Sequence, residues 1–383
     1  MNILSFLNIS NIDNISCDSG FIFQKQLGDE IIKNGHKFTL VVPSIINHKY
    51  SFDTYNYNLG SHKFQVRFSF DWNKFIEIIV DTKPDIIISN QPELSTNFKA
   101  LISSENIDVK LYTYVHYLPF AIDANDNFTI DSSLNNNGLC KNVILSFISG
   151  LLASDKIFIH SNYSLHLLER AFSQYNIPIN SLNIETLPPP YDPFIATHIE
   201  TIKENNILYN HRLYKQYGTD FLIEFAERSL NEKWKIIITD ILNNQNEKRT
   251  LLDNCSLNYK EQLSSLSNVM ITNEGNRRSS YKNLIYSSKL SLAPFRWNCT
   301  WSMSVIDCMC AGIPVIAPRI AWFKEFIPND LLFDNHSDLI KLSKYLFKDK
   351  SFYSEMSITV KECVLSNNDL NIESSIAKMG LQR

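Results

Sequence analysis

The sequence contains few glycines and none of the glycine-rich motifs that would assign a chemistry directly. Glycine accounts for 10 of the 383 residues, and neither a Gly-x-Gly-x-x-Gly run nor a Walker loop occurs. Nucleotide hydrolysis and hydride transfer therefore lack their usual sequence signatures. What the chain does have is a hydrophobic fraction of 44% and an aromatic fraction of 12%, which are typical of a packed globular protein.

The chain also lacks a strong net charge, a long apolar run and a secretory signal, which limits its expected partners and cellular compartment. With a net charge of −4 and a pI near 6.2, the chain as a whole does not attract nucleic acid or anionic membranes. Binding to either would need a local basic patch. The longest apolar run, residues 143–153, is too short to cross a bilayer and predicts a buried helix rather than membrane contact. Residues 1–7 resemble a strand and not a secretory signal. The 7 scattered cysteines are odd in number, which favours reduced thiols and a cytoplasmic location.

The first half of the chain alternates between strand and helix patterns. A helix is predicted over residues 21–33, with Gly35 just past its end. Strands are predicted at residues 2–7, 38–42, 85–89, 110–116 and 156–160. Continuous apolar strands separated by helices indicate a parallel sheet covered on both faces. The aromatic segment 50–72 gives no clear pattern.

A proline-rich segment divides the chain. Residues 187–193, Leu-Pro-Pro-Pro-Tyr-Asp-Pro, interrupt regular structure and are typical of an interdomain linker. Beyond it, strands are predicted at residues 206–209, 235–239, 269–272, 291–293 and 315–317, and helices at 221–228, 281–288 and 302–310. We therefore predict two α/β domains, 1–190 and 191–365, with ligand bound between them at the carboxyl ends of the strands. The last segment, 366–383, is predicted to contain a helix that returns to the first domain.

The stretch from residue 290 to residue 318 is the most informative. A strand is followed by a short loop and a helix that either Thr300 or Ser302 can cap. A loop that opens directly into a helix after a strand is where α/β proteins hold phosphate, because free N–H groups and the helix dipole point there. The N–H groups expected at this position belong to Ser302, Met303 and Ser304.

The order of elements resembles the GT-B glycosyltransferases of family 4, which are retaining enzymes that use nucleotide sugars. The best match is residues 307–317, Asp-Cys-Met-Cys-Ala-Gly-Ile-Pro-Val-Ile-Ala, similar to the family block Glu-Ala-Met-Ala-x-Gly-x-Pro-Val-Ile-Ala. Residues 207–224 resemble its strand, Arg-Leu and Gly-x-Asp-x-Leu-Ile-Glu pattern, and residues 281–288 one of its helices. Ser19-Gly20, Val115-His116 and His160-Ser161-Asn162 resemble its strand-end loops. The resemblance implies the GT-B fold, with two Rossmann-like domains whose parallel sheets face each other across a cleft.

A second likeness concerns the acceptor. Residues 112–119 and 318–328 resemble GT-B enzymes that add mannose to queuosine in tRNA, which have a similar strand-end histidine and a similar Pro-x-x-x-x-Tyr-Pro-Glu stretch. This likeness suggests a nucleobase-type acceptor as an alternative.

The chain departs from the family pattern at two positions. The family has two glutamates separated by seven residues, and here Asp307 takes the second place and Cys299 the first. The lysine expected before Gly218 is Tyr217, with Lys215 two residues earlier. These changes bear on recognition of the sugar hydroxyls and on neutralisation of the phosphate.

The resemblance assigns a donor site to the second half. Arg212 is suited to stabilising the diphosphate leaving group because a guanidinium grips phosphate oxygens bidentately, and Lys215 is a substitute cation. Asp307 could accept hydrogen bonds from both ribose hydroxyls or merely complement the helix dipole. Glu325 could contact sugar hydroxyls or be a solvated helix-start residue, and Cys299 would face the donor sugar.

The first half is expected to hold the acceptor. Ser19, Gly20, Asn90, Gln91 and Glu93 lie in strand-end loops, where they could bind an acceptor hydroxyl or cap the next helix. His116 would contact the donor sugar or the reacting centre, or else be a satisfied buried histidine.

The activity implied by the resemblance is retaining transfer of a sugar from a nucleotide-sugar donor to a hydroxyl of a glycan, a lipid or a modified base in DNA or tRNA. Front-face attack by the acceptor requires no protein nucleophile, and without an Asp-x-Asp motif no metal ion and no other cofactor are expected. The alternatives are an inactive binding protein of this fold, and an epimerase or phosphorylase of the same architecture, for which no pyridoxal lysine motif is found.

Overall fold

A computed structural model describes residues 1–7, 15, 18–42, 50–57, 63–123, 125–130, 140–239, 255–273, 277–293 and 295–382. The chain divides into two compact units, the first made of residues 1–190 and 371–383 and the second of residues 191–370.

The first unit is built on a parallel sheet of seven strands in the order β3-β2-β1-β4-β5-β8-β9, with β6 and β7 forming a separate antiparallel pair. Its strands are β1 (Asn2–Phe6), β2 (Lys37–Val42), β3 (Asp53–Asn56), β4 (Ile86–Ser89), β5 (Lys110–Tyr114), β6 (Phe120–Ile122), β7 (Phe128–Ile130), β8 (Lys156–Ile159) and β9 (Ile184–Thr186). Its helices before the linker are α1 (Ser19–Lys33), α2 (Lys63–Phe68), α3 (Trp72–Thr82), α4 (Pro92–Ser104), α5 (Cys140–Leu152) and α6 (Asn162–Gln174).

The apolar strands of this sheet bury both faces, which explains why their sequences do not alternate. In β4, Ile86 and Ile88 belong to a buried cluster that includes Leu27 of α1, whereas Ile87 belongs to a cluster on the other face that includes Phe98 of α4. Successive side chains of a strand point to opposite faces, so both must be apolar when helices cover the sheet twice.

The second unit contains a parallel sheet of six strands in the order β12-β11-β10-β13-β14-β15. Its strands are β10 (Asn206–Tyr209), β11 (Lys235–Thr239), β12 (Val269–Thr272), β13 (Leu290–Leu292), β14 (Val315–Pro318) and β15 (Leu332–Phe333). Its helices are α7 (Pro193–Ala196), α8 (Thr219–Arg228), α9 (Cys255–Ser264), α10 (Arg278–Ser287), α11 (Met303–Cys310), α12 (Phe323–Phe326), α13 (His336–Lys348) and α14 (Lys350–Leu365). The chain ends with α15 (Ile372–Lys378).

The C-terminal helix belongs to the first unit. Ile376 is part of the same buried cluster as Ile31 of α1, and Lys378 Nζ donates to the carbonyl of Thr186 at 2.7 Å. The division between the units falls after Pro190 and again after Leu370, so residues 366–370 lie with the second unit and not with the final helix.

Most predicted elements occur within a few residues of their predicted bounds. The helix predicted from residue 21 starts at Ser19, because Asp18 is its N-cap and accepts a hydrogen bond from Phe21 N. Strands β5 and β8 end before His116 and His160, so both histidines lie in the loops beyond the carboxyl ends. The unassigned aromatic segment contains β3, α2 and the start of α3.

The sequence predicts a buried helix at residues 143–153 and reduced cysteine thiols. The apolar run makes up most of α5, which buries one face, and no helix among the described residues has the length and apolarity needed to span a bilayer. The cysteines described as free thiols are Cys140, Cys299, Cys308, Cys310 and Cys363.

Candidate functional site

The switch point of the second sheet lies between β10 and β13. The chain runs from β10 outward through β11 and β12, then crosses to β13 and continues outward on the other side. Open α/β sheets bind ligands at such a switch point, in the crevice outside the carboxyl ends of the strands. Residues 210–215 follow β10 and residues 293–302 follow β13, so both predicted donor segments reach the same edge.

The start of α11 is fastened to the end of β10 by hydrogen bonds. Asn210 Nδ2 donates to the carbonyl of Ser304 at 3.3 Å and to the hydroxyl of Tyr281 at 2.8 Å. Ser304 Oγ lies 3.1 Å from Nδ1 of the buried His211. Burial, reinforced by the charge of Arg296, lowers the pKa of His211 to about 3, so this imidazole is neutral. The helix start is therefore fixed at the crevice without a cation of its own.

The first turn of α11 has no side-chain cap. Of the two predicted caps, Thr300 and Ser302, the N-cap residue is Ser302. Its side chain makes no capping hydrogen bond, and Ser302 Oγ lies 3.1 Å from Ser304 Oγ instead. Met303 and Ser304 are half-buried. An uncapped helix start leaves backbone N–H groups for an external acceptor, and the dipole favours an anion.

Two cations follow β10. Arg212 and Lys215 are both exposed, and Lys215 begins the 3₁₀ turn Lys215–Tyr217. Gly218 closes this turn with φ of +69°, and a Cβ there would lie 2.5 Å from Phe295 Cβ. The glycine thus allows both the left-handed conformation and the close approach of the loop after β13.

The loop after β13 contains Arg296, a residue that the sequence analysis did not single out. Its guanidinium lies 4.5 Å from the centre of the Tyr217 ring, and its Nη2 donates to Cys299 Sγ at 3.5 Å. Cys299 is fully buried, and its thiol also donates to the carbonyl of Trp301 at 3.6 Å. The two positions that depart from the family pattern therefore contact one arginine, and a donor contact by Cys299 stays a prediction.

Asp307 is buried in a network of charges. Arg278 of α10 donates through Nη1 to Asp307 Oδ2 at 3.2 Å and through Nη2 to Oδ1 at 3.3 Å. The same guanidinium donates to Asp192 Oδ2 at 2.6 Å from Nη2 and 3.0 Å from Nε. Burial raises the pKa of Asp307, and Arg278 opposes that shift. Both oxygens of Asp307 already accept hydrogen bonds from Arg278, and its predicted contact with ribose stays a prediction.

Glu325 lies on the short helix α12 and is exposed. The loop before it approaches the Cys299 segment, because Trp322 N donates to the carbonyl of Cys299 at 3.2 Å. Ala321 in that loop has φ of +50°, an unfavourable conformation for a residue with a side chain. Strained backbone of this kind clusters at functional sites.

The switch point of the first sheet lies between β1 and β4, and a neutral hydrogen-bond network joins the two strands there. Asn90 Nδ2 donates to the carbonyl of Phe6 and to Ser5 Oγ, each at 2.9 Å, and Ser5 donates to Gln24 Oε1 at 2.7 Å. Asn90 Oδ1 must then be the acceptor for Gln24 Nε2 at 3.0 Å and for His116 Nε2 at 2.7 Å. His116 therefore carries its proton on Nε2, and the lone pair is on Nδ1.

Burial keeps His116 neutral by lowering its pKa to about 4. The pKa of the neighbouring His160 falls to about 3, mainly through burial and also through His116. Gly20 lies beside the imidazole, since a Cβ at this position would be 3.9 Å from His116 Cε1. The predicted residues Gly20, Asn90 and His116 are thus brought together.

The remaining predicted acceptor residues have different environments. Ser19 is exposed in the first turn of α1, behind its Asp18 cap. Gln91 is the N-cap residue of α4 and donates through Nε2 to Glu93, which is buried and lies 3.5 Å from Arg67 Nη1. Glu93 therefore pairs inside the unit, whereas Ser19 is open to solvent.

No three His, Cys, Asp or Glu side chains among the described residues come together as a metal site.

Gln24, Arg278 and Arg296 are site residues that sequence reasoning missed. Gln24 lies one turn beyond the predicted Ser19-Gly20 loop, a spacing that could have indicated it. Arg278 offered no local signal, because its partner Asp307 lies 29 residues away. Arg296 lies three residues before Cys299, a spacing that could have indicated it, whereas its contact with Tyr217 spans 79 residues.

Comparison with known proteins gives structural matches only. No protein-family model matches the sequence, and no curated protein sequence matches it. Sucrose-phosphate synthase from Thermosynechococcus elongatus superposes with a TM-score of 0.75 at 15% identity, over 99% of this chain and 98% of that one. A glycosyltransferase from Rickettsia africae gives 0.69 at 14% identity, over 99% and 97%. HepE from Anabaena, in complex with UDP, gives 0.67 at 11% identity, over 99% of both chains.

These matches extend over nearly the whole chain, and the two parallel sheets agree with two Rossmann-like units. At such low identity they establish the architecture, and the predicted fold class is confirmed: the chain has the GT-B fold of these glycosyltransferases.

Proposed function

We propose that this protein is a retaining, metal-independent glycosyltransferase that moves a sugar from a nucleotide-sugar donor to a hydroxyl acceptor. The observation that carries the proposal is the uncapped start of α11 at the same sheet edge as the exposed Arg212 and Lys215. Positive helix ends and guanidinium groups both complement a diphosphate. Structures of the same fold support it, since HepE was solved with UDP and with UDP-glucose.

We assign the donor to the second unit. When the bond between the anomeric carbon and the diphosphate oxygen breaks, its electron pair stays on the diphosphate. Arg212 and the N–H groups of Met303 and Ser304 stabilise that developing charge, and preorganised electrostatic stabilisation of this kind supplies much of the rate enhancement in many enzymes. Lys215 adds a second positive charge, and no metal ion is required for this step.

We assign the acceptor to the first unit. The new bond forms between the acceptor oxygen and the anomeric carbon on the face that the leaving group departs from, and the acceptor proton passes to the departing phosphate oxygen. His116 has a lone pair on Nδ1 and so accepts a hydrogen bond from a sugar hydroxyl. Neither a protein nucleophile nor a protein base is needed.

The chemistry of the first unit favours a neutral acceptor. Its switch point presents the exposed hydroxyl of Ser19 and the neutral imidazole of His116, which Asn90 orients, and the nearby Arg67 is buried beside Glu93. A hydroxyl of a glycan or lipid suits these groups better than a phosphate-rich nucleic acid. Free cysteines in both units are consistent with a cytoplasmic protein.

The test is incubation of the full chain with a panel of labelled nucleotide sugars, followed by measurement of donor hydrolysis and of transfer to glycan, lipid and tRNA acceptors. We expect release of a nucleoside diphosphate, a product with the anomeric configuration of the donor by NMR, and an unchanged rate in EDTA. No binding and no hydrolysis across the whole panel would refute the enzyme. Transfer to tRNA that falls steeply with salt would identify a nucleic-acid acceptor instead.

A second candidate is a catalytically inactive binding protein of the same fold. It is favoured by one observation, the complete burial of Cys299 where the related enzymes have a glutamate. This protein would bind nucleotide sugars without hydrolysing or transferring them, and the same panel distinguishes the two.

A further inference from the structure

Arg67 of α2 places a guanidinium beside residues that follow two strands of the first sheet. Its Nη1 lies 3.5 Å from Oε1 of Glu93, which is in the first turn of α4, the helix after β4. Its guanidinium carbon lies 5.2 Å from the centre of the Tyr117 ring, in the segment that follows β5. Residues that follow parallel strands come to the carboxyl edge, where open α/β sheets bind ligands. Arg67 therefore lies at the edge to which we assign the acceptor.

The guanidinium of Arg67 has unused hydrogen-bond donors. The residue is only 3% exposed, and neither Nε nor Nη1 has a hydrogen-bond partner in the part of the chain that the structure describes. Its contact with Glu93 is an ion pair and does not have the geometry of a hydrogen bond. Buried donors without an acceptor are rare in native proteins. The unused nitrogens of Arg67 therefore indicate an oxygen that a ligand supplies.

Gln91 connects this buried pair with the surface. It is half-buried, and its Nε2 donates a hydrogen bond to Oε2 of Glu93. Gln91 is the N-cap residue of α4, yet its side chain makes no capping hydrogen bond. The amide is thus directed to the carboxylate and not to the helix. Arg67, Glu93 and Gln91 together form a polar cluster that runs from the interior to a partly exposed side chain.

The charges of this cluster decide which ligand it suits. Glu93 offsets the charge of Arg67, and neither residue has a second ion pair among the described residues. An anion bound to Arg67 would lie beside the Glu93 carboxylate and be repelled by it. A hydroxyl matches both groups, because its oxygen accepts from the guanidinium while its proton is donated to the carboxylate. Several hydroxyls on one ligand can use the cluster fully, whereas an alkyl chain gains nothing from it.

We propose that Arg67, Glu93 and Gln91 form a hydroxyl-binding subsite that selects a saccharide acceptor over a lipid alcohol. Arg67 and Glu93 bind hydroxyls that do not react, and this contact positions the hydroxyl that does. Tyr117, which lies against Arg67, directly follows His116 in the chain, so the subsite adjoins the imidazole assigned to the reacting sugars. The inference rests on the proposed function, since only that function makes the bound saccharide an acceptor.

The first test measures binding to the full chain by ligand-observed NMR, with maltose, cellobiose, lactose and inorganic phosphate as probes. Arg67→Met removes the donors while keeping an unbranched side chain. Arg170→Met is the matched control, because Arg170 is an exposed arginine of α6 in the same unit and pairs with Asp126. At least one disaccharide should bind the wild type, and Arg67→Met should weaken it about 10- to 100-fold. Arg170→Met should bind it like the wild type.

The second test measures transfer to the same disaccharides and to farnesol, a lipid alcohol. Arg67→Met should raise the KM for the saccharide acceptor, while affinity for the nucleoside diphosphate and hydrolysis of the donor without acceptor stay unchanged. A residue with a purely structural role would weaken donor and acceptor binding together, and that result would overturn the inference. Transfer to farnesol in preference to the disaccharides, at an equal rate in both proteins, would overturn it too.

The two tests separate this inference from the proposed function. Donor hydrolysis by the wild type with no binding of any saccharide, or with equal saccharide binding in Arg67→Met, overturns the subsite alone. Saccharide binding that depends on Arg67, in a protein that neither binds nor hydrolyses any nucleotide sugar, supports the subsite and overturns the proposed function. Binding of inorganic phosphate that depends on Arg67 and exceeds that of every saccharide would identify an anion site and overturn the assigned ligand class.

Arg67→Met leaves the buried Glu93 carboxylate without its partner and so could prevent folding. The double variant Arg67→Met with Glu93→Gln removes both charges together and avoids this. It should fold and show the same loss of saccharide binding, because the guanidinium donors and the carboxylate acceptor are both absent. Saccharide affinity equal to that of the wild type in the double variant would overturn the assignment.

Discussion

The switch points of the two parallel sheets carry chemically different groups: neutral polar groups in the first sheet and cationic groups in the second. At the β1–β4 edge, Asn90 joins amides, hydroxyls and a neutral imidazole into a network without net charge. At the β10–β13 edge, Arg212, Arg296 and the uncapped start of α11 concentrate positive charge. Similar topology therefore does not impose a similar ligand. The groups placed after the strands decide it, and the first edge suits hydroxyls whereas the second suits an anion.

The largest effect is expected where the second unit buries charges. Arg278→Met leaves the carboxylates of Asp307 and Asp192 without their shared partner, and removing one member of a buried ion pair typically costs about 3–5 kcal/mol. The free energy of unfolding from urea titration measures this loss. Arg228→Met, which removes only an exposed pair with Glu224, should cost less than about 1 kcal/mol. Equal losses in the two variants would contradict the assigned network.

The next prediction concerns the charged edge in catalysis. Arg212→Ala should lower the rate constant of transfer at saturating donor about 100- to 1,000-fold, because one preformed contact to the developing charge is lost. The side chain is exposed, so the unfolding transition should not move. Full activity in this variant would refute the placement of Arg212, and Arg228→Ala provides the comparison for a remote arginine.

Acidification should lower the stability of the two units to different extents. The folded pKa of His116 is about 4 and those of His160 and His211 about 3, all below the unfolded value near 6.5. Between these values the unfolded chain binds more protons, so stability is complete above pH 6.5 and falls as the pH drops. The cost is on the order of 2 kcal/mol per histidine at pH 5.

Two of these histidines belong to the first unit and one to the second. On going from pH 7 to pH 5, the backbone amides of the first unit should therefore lose more protection against hydrogen exchange. Hydrogen exchange at pH 5 and pH 7, measured separately for residues 1–190 and 191–370, tests this. Greater loss in the second unit would mean that the histidines of the first are not held neutral.

The smallest predicted effect tests the neutral network. Asn90→Ala removes the acceptor for Gln24 and His116, and stranding buried donors costs about 1–3 kcal/mol. With His116 released from the Nε2 tautomer, transfer should also weaken while binding of a nucleoside diphosphate stays unchanged. Weakened nucleotide binding in this variant would break the separation of roles between the two edges. Asn34→Ala, which removes an amide at the other end of α1 that donates to the carbonyl of Glu30, is the control.

The strands and most helices could be predicted because each carries its own signal. The run after Pro84 is apolar at every position since both faces of β4 are covered, and α11 follows its N-cap at the expected spacing. Residues 50–72 could not be assigned because β3 is a four-residue strand that is mostly exposed, with no apolar alternation.

The site was predicted in part for the same reason. Asn90 directly follows β4, and Arg212 lies three residues beyond the end of β10. In each parallel sheet the residues that follow the strands come to the carboxyl edge of that sheet, so their placement can be predicted from the strand pattern. Arg278 was missed because its role depends on Asp192 and Asp307, which lie 86 and 29 residues away in the sequence.

The sequence alone determined the repeating strand–helix order, the linker near Pro190 and the helix start near Ser302, because each of these follows from short-range patterns of apolar, capping and proline residues. Tertiary structure decided the rest. It set His116 in one tautomer, enclosed Asp307 beneath Arg278, and placed Arg296 between Tyr217 and Cys299. Contacts between residues distant in sequence are fixed only when the strands pair, and no local pattern encodes which side chains will then meet.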